Sequence, residues 1–154
     1  MSANIQELYR DILMEHYKYP RGSEKLEKPD IENDGQNPLC GDSLTIQLKL
    51  AEDIIEDISC LCQGCAICKA SGSMLTEIIE GKSLEETKKI AVSVKKILKG
   101  EEAPADLDYE DLEALEGVKK FPVRIKCALL SWITLMEGIS AWEENRSASV
   151  VTTE

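Results

Sequence analysis

The stretch SLTIQLKLAEDIIEDISCL, residues 43–61, decides the fold class of this chain. Apolar side chains occupy every second position from Leu44 to Leu50, which is the period of a strand with one buried face. The residues AED (51–53) then make a short turn, and IIEDISCL returns as a second apolar strand. The stretch therefore predicts an antiparallel hairpin.

Helical periodicity lies on both sides of this hairpin. Before it, apolar residues recur at helical spacing until Pro20 and Gly22 end the pattern. After it, the period changes at Ala66, and a capping box of Ser83 and Glu86 opens a further helix. The predicted helices cover about residues 4–19, 66–81, 83–100 and 122–142, with a short helix near 109–116 and a weak strand signal at 30–34. This order predicts an α+β fold in which a small antiparallel sheet of about three strands packs against several helices.

The chain has 154 residues, which is the length of one domain that buries its own core. No repeat or linker divides it, so residues 1–154 are expected to form a single domain. The C-terminal residues 145–154, NRSASVVTTE, lack periodicity, which predicts a disordered tail.

Composition and charge narrow the class of protein. No apolar run approaches the roughly 20 residues of a membrane span, and the N-terminal MSANIQELYRDIL lacks the features of a signal peptide. The chain is therefore expected to be cytoplasmic, where cysteines more often serve metal or sulfur chemistry than disulfides. The formal net charge of −11 argues against a nucleic-acid partner, because a phosphate backbone would repel this surface.

Three separate pieces of the sequence place soft or acidic ligands next to backbone turns. Glycines at 41 and 64 let the backbone approach an ion closely. Three cysteines and one carboxylate make a four-ligand set that suits zinc or an iron–sulfur cluster. The pieces are NPLCGD (37–42) with Cys40 and Asp42, GCAICKAS (64–71) with Cys65, and FPVRIKC (121–127) with Cys127.

The predicted surroundings of two of these thiols favour the thiolate form. Cys65 stands at the predicted start of a helix, where unpaired N–H groups lower the pKa of a thiol. Arg124 and Lys126 flank Cys127, so their charges are expected to lower its pKa as well.

A local metal knuckle is the alternative interpretation. The stretch CLCQGCAIC (60–68) spaces Cys62, Cys65 and Cys68 as C-x2-C-x2-C, which is a metal-binding spacing. However, Cys62 lies on a predicted strand and Cys68 inside a predicted helix, so the backbone directs these thiols differently. The distributed set is the favoured interpretation, and the knuckle stays open.

The motifs CGD, GCAICKAS and KCALLSW, in this order, resemble the three cysteine motifs of the IscU/NifU-N family of iron–sulfur assembly proteins. LYRDILMEHYKYPRG is similar to the N-terminal helix of that family, so the resemblance covers about residues 6–142 and implies an IscU-like fold. Two features point to the SufU branch of the family. Lys126 stands where IscU scaffolds carry histidine, and the segment at about 100–120 resembles an insertion of that branch.

This resemblance implies a zinc-dependent sulfurtransferase. By motif, the zinc ligands would be Cys40, Asp42, Cys65 and Cys127. Cys40 would accept persulfide sulfur from a SufS-type cysteine desulfurase and relay it to a downstream SUF scaffold.

Two roles and one alternative function remain open in this sequence. Arg124 is a catalytic candidate that can pair with an acidic ligand or with the partner, and a surface cation is the competing interpretation. His16, the single histidine, is expected to be a surface or helix-packing residue rather than a ligand. The alternative function is an IscU-type scaffold in which the same four ligands hold a [2Fe–2S] cluster.

Overall fold

The structure, a computed structural model, describes residues 2–101, 114–115, 118 and 121–153, with side chains from Tyr9 onward. The predicted insertion at about 100–120 and the short helix near 109–116 fall almost entirely outside these residues. In the part of the chain that is described, no helix is long and apolar enough to cross a membrane.

The predicted hairpin is confirmed. Strand β2 (Asp42–Ala51) pairs antiparallel with β3 (Ile54–Gln63), and Ile46 lies opposite Cys60. A register shift follows Lys49, close to the turn between the two strands. Because the register holds over the rest of the hairpin, the buried apolar residues of both strands share the face that packs against the helices.

Among the described residues the sheet has four strands rather than about three, with β3 at one edge and β2 next to it. Strand β1 (Ile31–Asn37) pairs antiparallel with β2, and it realises the weak strand signal at 30–34. The added strand is β4 (Val151–Thr152), which pairs parallel with β1. The expectation of a disordered tail is therefore wrong as far as Thr153, because this short strand gains backbone partners that periodicity does not reveal.

The four long helices of the sequence analysis are all present. They are α1 (Ser2–Lys18), α2 (Ala66–Ile79), α3 (Leu84–Leu98) and α4 (Pro122–Glu143). The predicted capping box is confirmed, because the Ser83 side chain accepts the backbone N–H of Glu86. Pro122 occupies the first turn of α4, where its missing N–H has no helical partner to lose.

Helices α2 and α4 cover one face of the sheet and meet at a buried tryptophan. The indole N–H of Trp132 donates to Ser71 Oγ at 3.1 Å, and that hydroxyl donates to the carbonyl of Ala128 at 2.6 Å. Helix α4 also lies close to β1, since a Cβ at Gly35 would overlap the Thr134 side chain. This close packing fixes α4, and with it Cys127, against β1 and β2, the strands on either side of the loop that carries Cys40.

Polar contacts hold the C-terminal tail in place. Arg146 pairs with the Glu137 carboxylate at 2.8 Å, and the backbone N–H of Ser149 donates to the same carboxylate at 2.8 Å. The backbone N–H of Thr153 then donates to the carbonyl of Gln36 at 3.2 Å. The tail is thus tied first to α4 and then to β1.

We expect the pKa of Glu137 to show whether this tail is docked on α4. The hydrogen bonds from Arg146 and Ser149 lower the pKa of Glu137 from 4.5 to about 2. Because the folded-state pKa is the lower one, the contact stabilises the fold above pH 4.5 and loses its effect as the pH falls towards 2. A carbon-13 NMR titration of the Glu137 carboxyl should give a midpoint near 2.

Arg146→Ala should move that midpoint up towards the ordinary value of 4.5. Lys88→Ala is the matched control, because it removes a different surface ion pair, to Glu143 at the end of α4. A midpoint that Arg146→Ala leaves unchanged would show that the tail does not dock as described.

Candidate metal centre

Cys40 lies on the tight loop between β1 and β2. Its backbone N–H donates to the carbonyl of Asn37 at 3.2 Å, and Gly41 follows with a φ of 71°, a conformation that favours glycine. Asp42, the first residue of β2, follows this loop directly, and only 2% of it is exposed. The thiol of Cys40 and the carboxylate of Asp42 therefore reach the site from one short motif.

Cys65 lies where β3 gives way to α2, and it is the N-cap of that helix. Its backbone N–H donates to Asp42 Oδ1 at 2.8 Å, and its Sγ lies 3.7 Å from Asp42 Oδ2. The same Sγ accepts the backbone N–H of Cys68 at 3.4 Å. The predicted position of Cys65 at a helix start is confirmed.

Cys127 enters from α4 and is fully buried. Its Sγ lies 3.2 Å from the Sγ of Cys40 and 3.7 Å from the side-chain amide nitrogen of Asn37. Burial raises the pKa of the Cys127 thiol, and hydrogen bonds with its neighbours in the site raise it further. The expectation of a lowered pKa is therefore wrong for the protein without a metal, because α4 turns this thiol into the core and leaves Arg124 exposed.

Three of the four predicted ligands converge. The sulfur atoms of Cys40 and Cys127 and a carboxylate oxygen of Asp42 all lie within 4.8 Å of one another. Two thiolates on one zinc ion stand about 3.7 Å apart when each zinc–sulfur bond is about 2.3 Å, so this spacing suits a tetrahedral ion. Cys65 is outside the mutual cluster but touches Asp42, which makes it the nearest candidate for a fourth ligand. The donor set fits zinc.

The centre opens to solvent on one side. A cavity of about 570 Å³ there is lined by Cys40, Cys65 and the segment 121–124, which includes Arg124. Phe121 and Val123 line this opening with 58% and 51% of their surface exposed, and Leu39, next to Cys40 in the chain, is 65% exposed. Large apolar side chains with this much exposure are suited to contact with another macromolecule.

The structure does not assemble the local knuckle. Cys60 is buried against Gly72, and burial raises the pKa of its thiol. Cys62 and Cys68 pair with each other, sulfur to sulfur, at 3.1 Å. Within the described residues, the cluster of ligand atoms includes none of these three cysteines. The geometry supports the distributed set.

His16 is buried, and its Nδ1 lies 2.8 Å from Ser73 Oγ, which confirms it as a helix-packing residue. The contact of Asn37 with Cys127 was missed, and no local signal in the sequence indicates it. The Cys62–Cys68 pair was also missed. The chain turns at Gly64 between the end of β3 and the start of α2, and this turn allows the two thiols to meet.

Gly64 keeps room for the Asp42 side chain, since an added Cβ would overlap its carboxylate and lie 2.9 Å from its Cα. We therefore expect Gly64→Ala to lower zinc affinity by at least about 10-fold, the size of effect seen when the support of a metal ligand is lost. Competition with a chromogenic chelator measures this affinity.

Gly81→Ala is the matched control. Its φ of 83° also disfavours alanine, but nothing lies within 4 Å of the added Cβ and the residue is remote in sequence from every ligand. Equal zinc affinity in wild type and Gly64→Ala would contradict the role given to Asp42.

Comparison with known proteins identifies the family of this chain. The model of the NifU-like N terminal domain matches residues 8–149. The zinc-dependent sulfurtransferase SufU of Bacillus subtilis (strain 168) is 42% identical over 142 residues, covering 92% of this chain and 96% of that protein. The iron–sulfur cluster assembly scaffold protein IscU of Streptococcus pyogenes serotype M1 is 38% identical, covering 89% of this chain and 86% of that protein.

A solved structure agrees with the fold. The crystal structure of a candidate iron–sulfur cluster assembly scaffold for the SUF system, from Fervidobacterium islandicum AW-1, superposes with a TM-score of 0.80 at 29% identity. The match covers 84% of this chain and 94% of that one. Since the sequence motifs, the fold and the matched relatives agree over nearly the whole length, the chain belongs to the NifU-like N-terminal domain family of iron–sulfur cluster assembly proteins.

Proposed function

We propose that this protein is a zinc-dependent sulfurtransferase that accepts persulfide sulfur on Cys40. The observation that carries the proposal is the Cys40, Asp42 and Cys127 cluster, in which only Cys40 also lines the open cavity. The identity of 42% with a relative named as a zinc-dependent sulfurtransferase supports it.

Zinc would be held by Cys40, Asp42, Cys65 and Cys127. When bound, zinc supplies the positive charge that keeps thiols in the thiolate form. The buried Cys127 most needs such a charge, because burial raises the pKa of its thiol. Asp42 is also buried, and a cation beside it would offset the cost of burying its charge.

Cys40 is suited to accept sulfur because of where it lies. Asp42 and Cys127 belong to a strand and a helix, whereas Cys40 is on a turn that ends at Gly41. Its thiolate would attack the outer sulfur of a donor persulfide. A new bond to that sulfur forms while the donor S–S bond breaks, and the donor leaves as a thiolate.

Arg124 would assist this step from the rim of the site. It lines the same cavity as Cys40, and its side chain is exposed there. A guanidinium in this position can pair with a carboxylate of the donor protein or with the anionic persulfide. Arg124 is thus proposed as a positioning residue of the transfer.

The donor would be a cysteine desulfurase of the SufS type, docked on the apolar rim formed by Leu39, Phe121 and Val123. A downstream SUF scaffold would receive the sulfur, and the transfer would take place in the cytoplasm. The acidic surface, with a net charge of −11, suits basic groups around the docking face of the donor.

The experiment is anaerobic purification followed by a desulfurase assay. We expect about one zinc per chain, no visible absorption and a clear stimulation of cysteine desulfurase turnover. Cys40→Ala should abolish the stimulation, since the accepting thiol is gone. Cys60→Ala is the matched control, because this buried cysteine lies outside the ligand cluster and should leave the stimulation intact.

If the protein is instead an IscU-type scaffold, anaerobic purification should give a different result. A brown preparation with stoichiometric iron and sulfide, in which Cys40→Ala loses the colour, would overturn the sulfurtransferase proposal in favour of an IscU-type scaffold. Stimulation that survives Cys40→Ala would also overturn it.

A further inference from the structure

Two thiols that the metal centre does not use face each other beside it. The Sγ of Cys62, on β3, lies 3.1 Å from the Sγ of Cys68, in the first turn of α2. A disulfide bond is about 2.05 Å long, so the two sulfur atoms need to approach by only about 1 Å to bond. Within the described residues, neither sulfur belongs to the cluster of metal-ligating atoms.

The two thiols differ in access. Cys62 is half-buried and lines an open cavity of about 980 Å³, whereas Cys68 is fully buried behind it. Lys69 lines the same cavity as Cys62 and places a positive charge where an anionic sulfur compound would enter. One reachable thiol backed by one enclosed thiol is the arrangement of a nucleophile and its resolving partner.

The pair is also next to the metal centre. The backbone N–H of Cys68 donates to the Sγ of Cys65 at 3.4 Å, and Cys62 is two residues before Gly64, which packs on Asp42. The dithiol and the metal centre are therefore built on the same turn of chain, between β3 and α2.

Cluster assembly sets a chemical requirement that sulfur transfer alone does not meet. A persulfide carries its outer sulfur in the zero oxidation state, while an iron–sulfur cluster contains sulfide. Each sulfur atom must gain two electrons between these states, and a dithiol that closes to a disulfide supplies two electrons.

We propose that Cys62 and Cys68 form a dithiol site that reduces the outer sulfur of a persulfide to sulfide. In the first step Cys62 loses its proton and its thiolate attacks that sulfur, the donor leaves as a thiolate that takes up this proton, and Cys62 becomes a persulfide. In the second step Cys68 attacks the Sγ of Cys62 and hydrogen sulfide leaves. The sum is one persulfide and two thiols giving one thiol, one hydrogen sulfide and the Cys62–Cys68 disulfide.

The disulfide must then be reduced before another turnover, and a small dithiol such as dithiothreitol is a sufficient reductant. That the substrate in the cell is a persulfide made at the metal centre rests on the proposed function of Cys40. The reaction of the dithiol with a small-molecule persulfide does not rest on it.

The test uses the full-length, zinc-loaded protein with glutathione persulfide, in the absence of oxygen and reductant. We expect about one sulfide released per chain above the protein-free background. Free thiols are then alkylated, and tandem mass spectrometry of the tryptic peptide 50–69 locates the disulfide. Cys60 and Cys65 should carry the alkyl group, whereas Cys62 and Cys68 should not.

Three variants separate the roles. Cys68→Ser should release less than about a tenth of the wild-type sulfide and trap a persulfide on Cys62, and Cys62→Ser should lose both products. Because Cys68 is buried, the zinc content and melting temperature of each variant check that it is folded. Cys60→Ala is the matched control and should behave as wild type.

Sulfide release that persists at the wild-type level in both Cys62→Ser and Cys68→Ser would overturn the proposal. So would a wild-type disulfide between Cys40 and Cys127 accompanied by loss of zinc. A protein that forms the Cys62–Cys68 disulfide here, yet shows no desulfurase stimulation through Cys40, would support the dithiol site and count against the proposed function alone.

Discussion

The carboxylate of Asp42 accepts the backbone N–H of Cys65 at 2.8 Å, and this partly buried hydrogen bond joins the start of β2 to the start of α2. A charge taken out of water is costly unless it is compensated, and the backbone N–H and thiol of Cys65 supply hydrogen bonds to Asp42 but no positive charge. A cation held between Asp42 and the adjacent thiols would supply that charge. The metal centre can therefore be understood as the completion of a buried charge that the fold already positions, with Gly64 leaving the necessary room.

Most of the fold could be predicted from the sequence because the strongest sequence patterns are local. The alternation from Leu44 to Leu50 and the Ser83 capping box each concern residues that are neighbours in the same element, and both predictions are confirmed. Strand β4 was missed because it exists only through its pairing with β1 and through the contact of Arg146 with Glu137, across 9 residues. Neither contact leaves a periodic trace in the sequence.

At the candidate site, too, local patterns could be predicted from the sequence and tertiary contacts could not. Chemistry and motif order predicted four ligands, and the structure brings Cys40 and Asp42 of one motif together with Cys127 of α4. The pKa of Cys127 was predicted in the wrong direction because the charges beside it in sequence are visible, whereas the burial produced by α4 is tertiary. The Cys62–Cys68 pair depends on how a strand and a helix meet, and spacing alone presented these thiols as part of a knuckle.

The two proposed sites lie side by side. The metal centre uses thiols that converge on a carboxylate, and the dithiol beside it uses thiols that converge on each other. The turn between β3 and α2 contributes to both, because Cys65 and Gly64 face Asp42 while Cys68 faces Cys62. In the functions we propose, Cys65 belongs to the metal centre, Cys62 and Cys68 form the dithiol, and Cys60 belongs to neither.

The proposed metal centre consists of ligands that the fold brings together, including the carboxylate of Asp42. X-ray absorption at the zinc edge of the anaerobically purified protein tests it most directly, since it counts the sulfur and oxygen atoms bound to the ion. We expect three sulfur atoms at about 2.3 Å and one oxygen atom at about 2.0 Å. Four sulfur atoms and no oxygen would exclude Asp42 as a ligand.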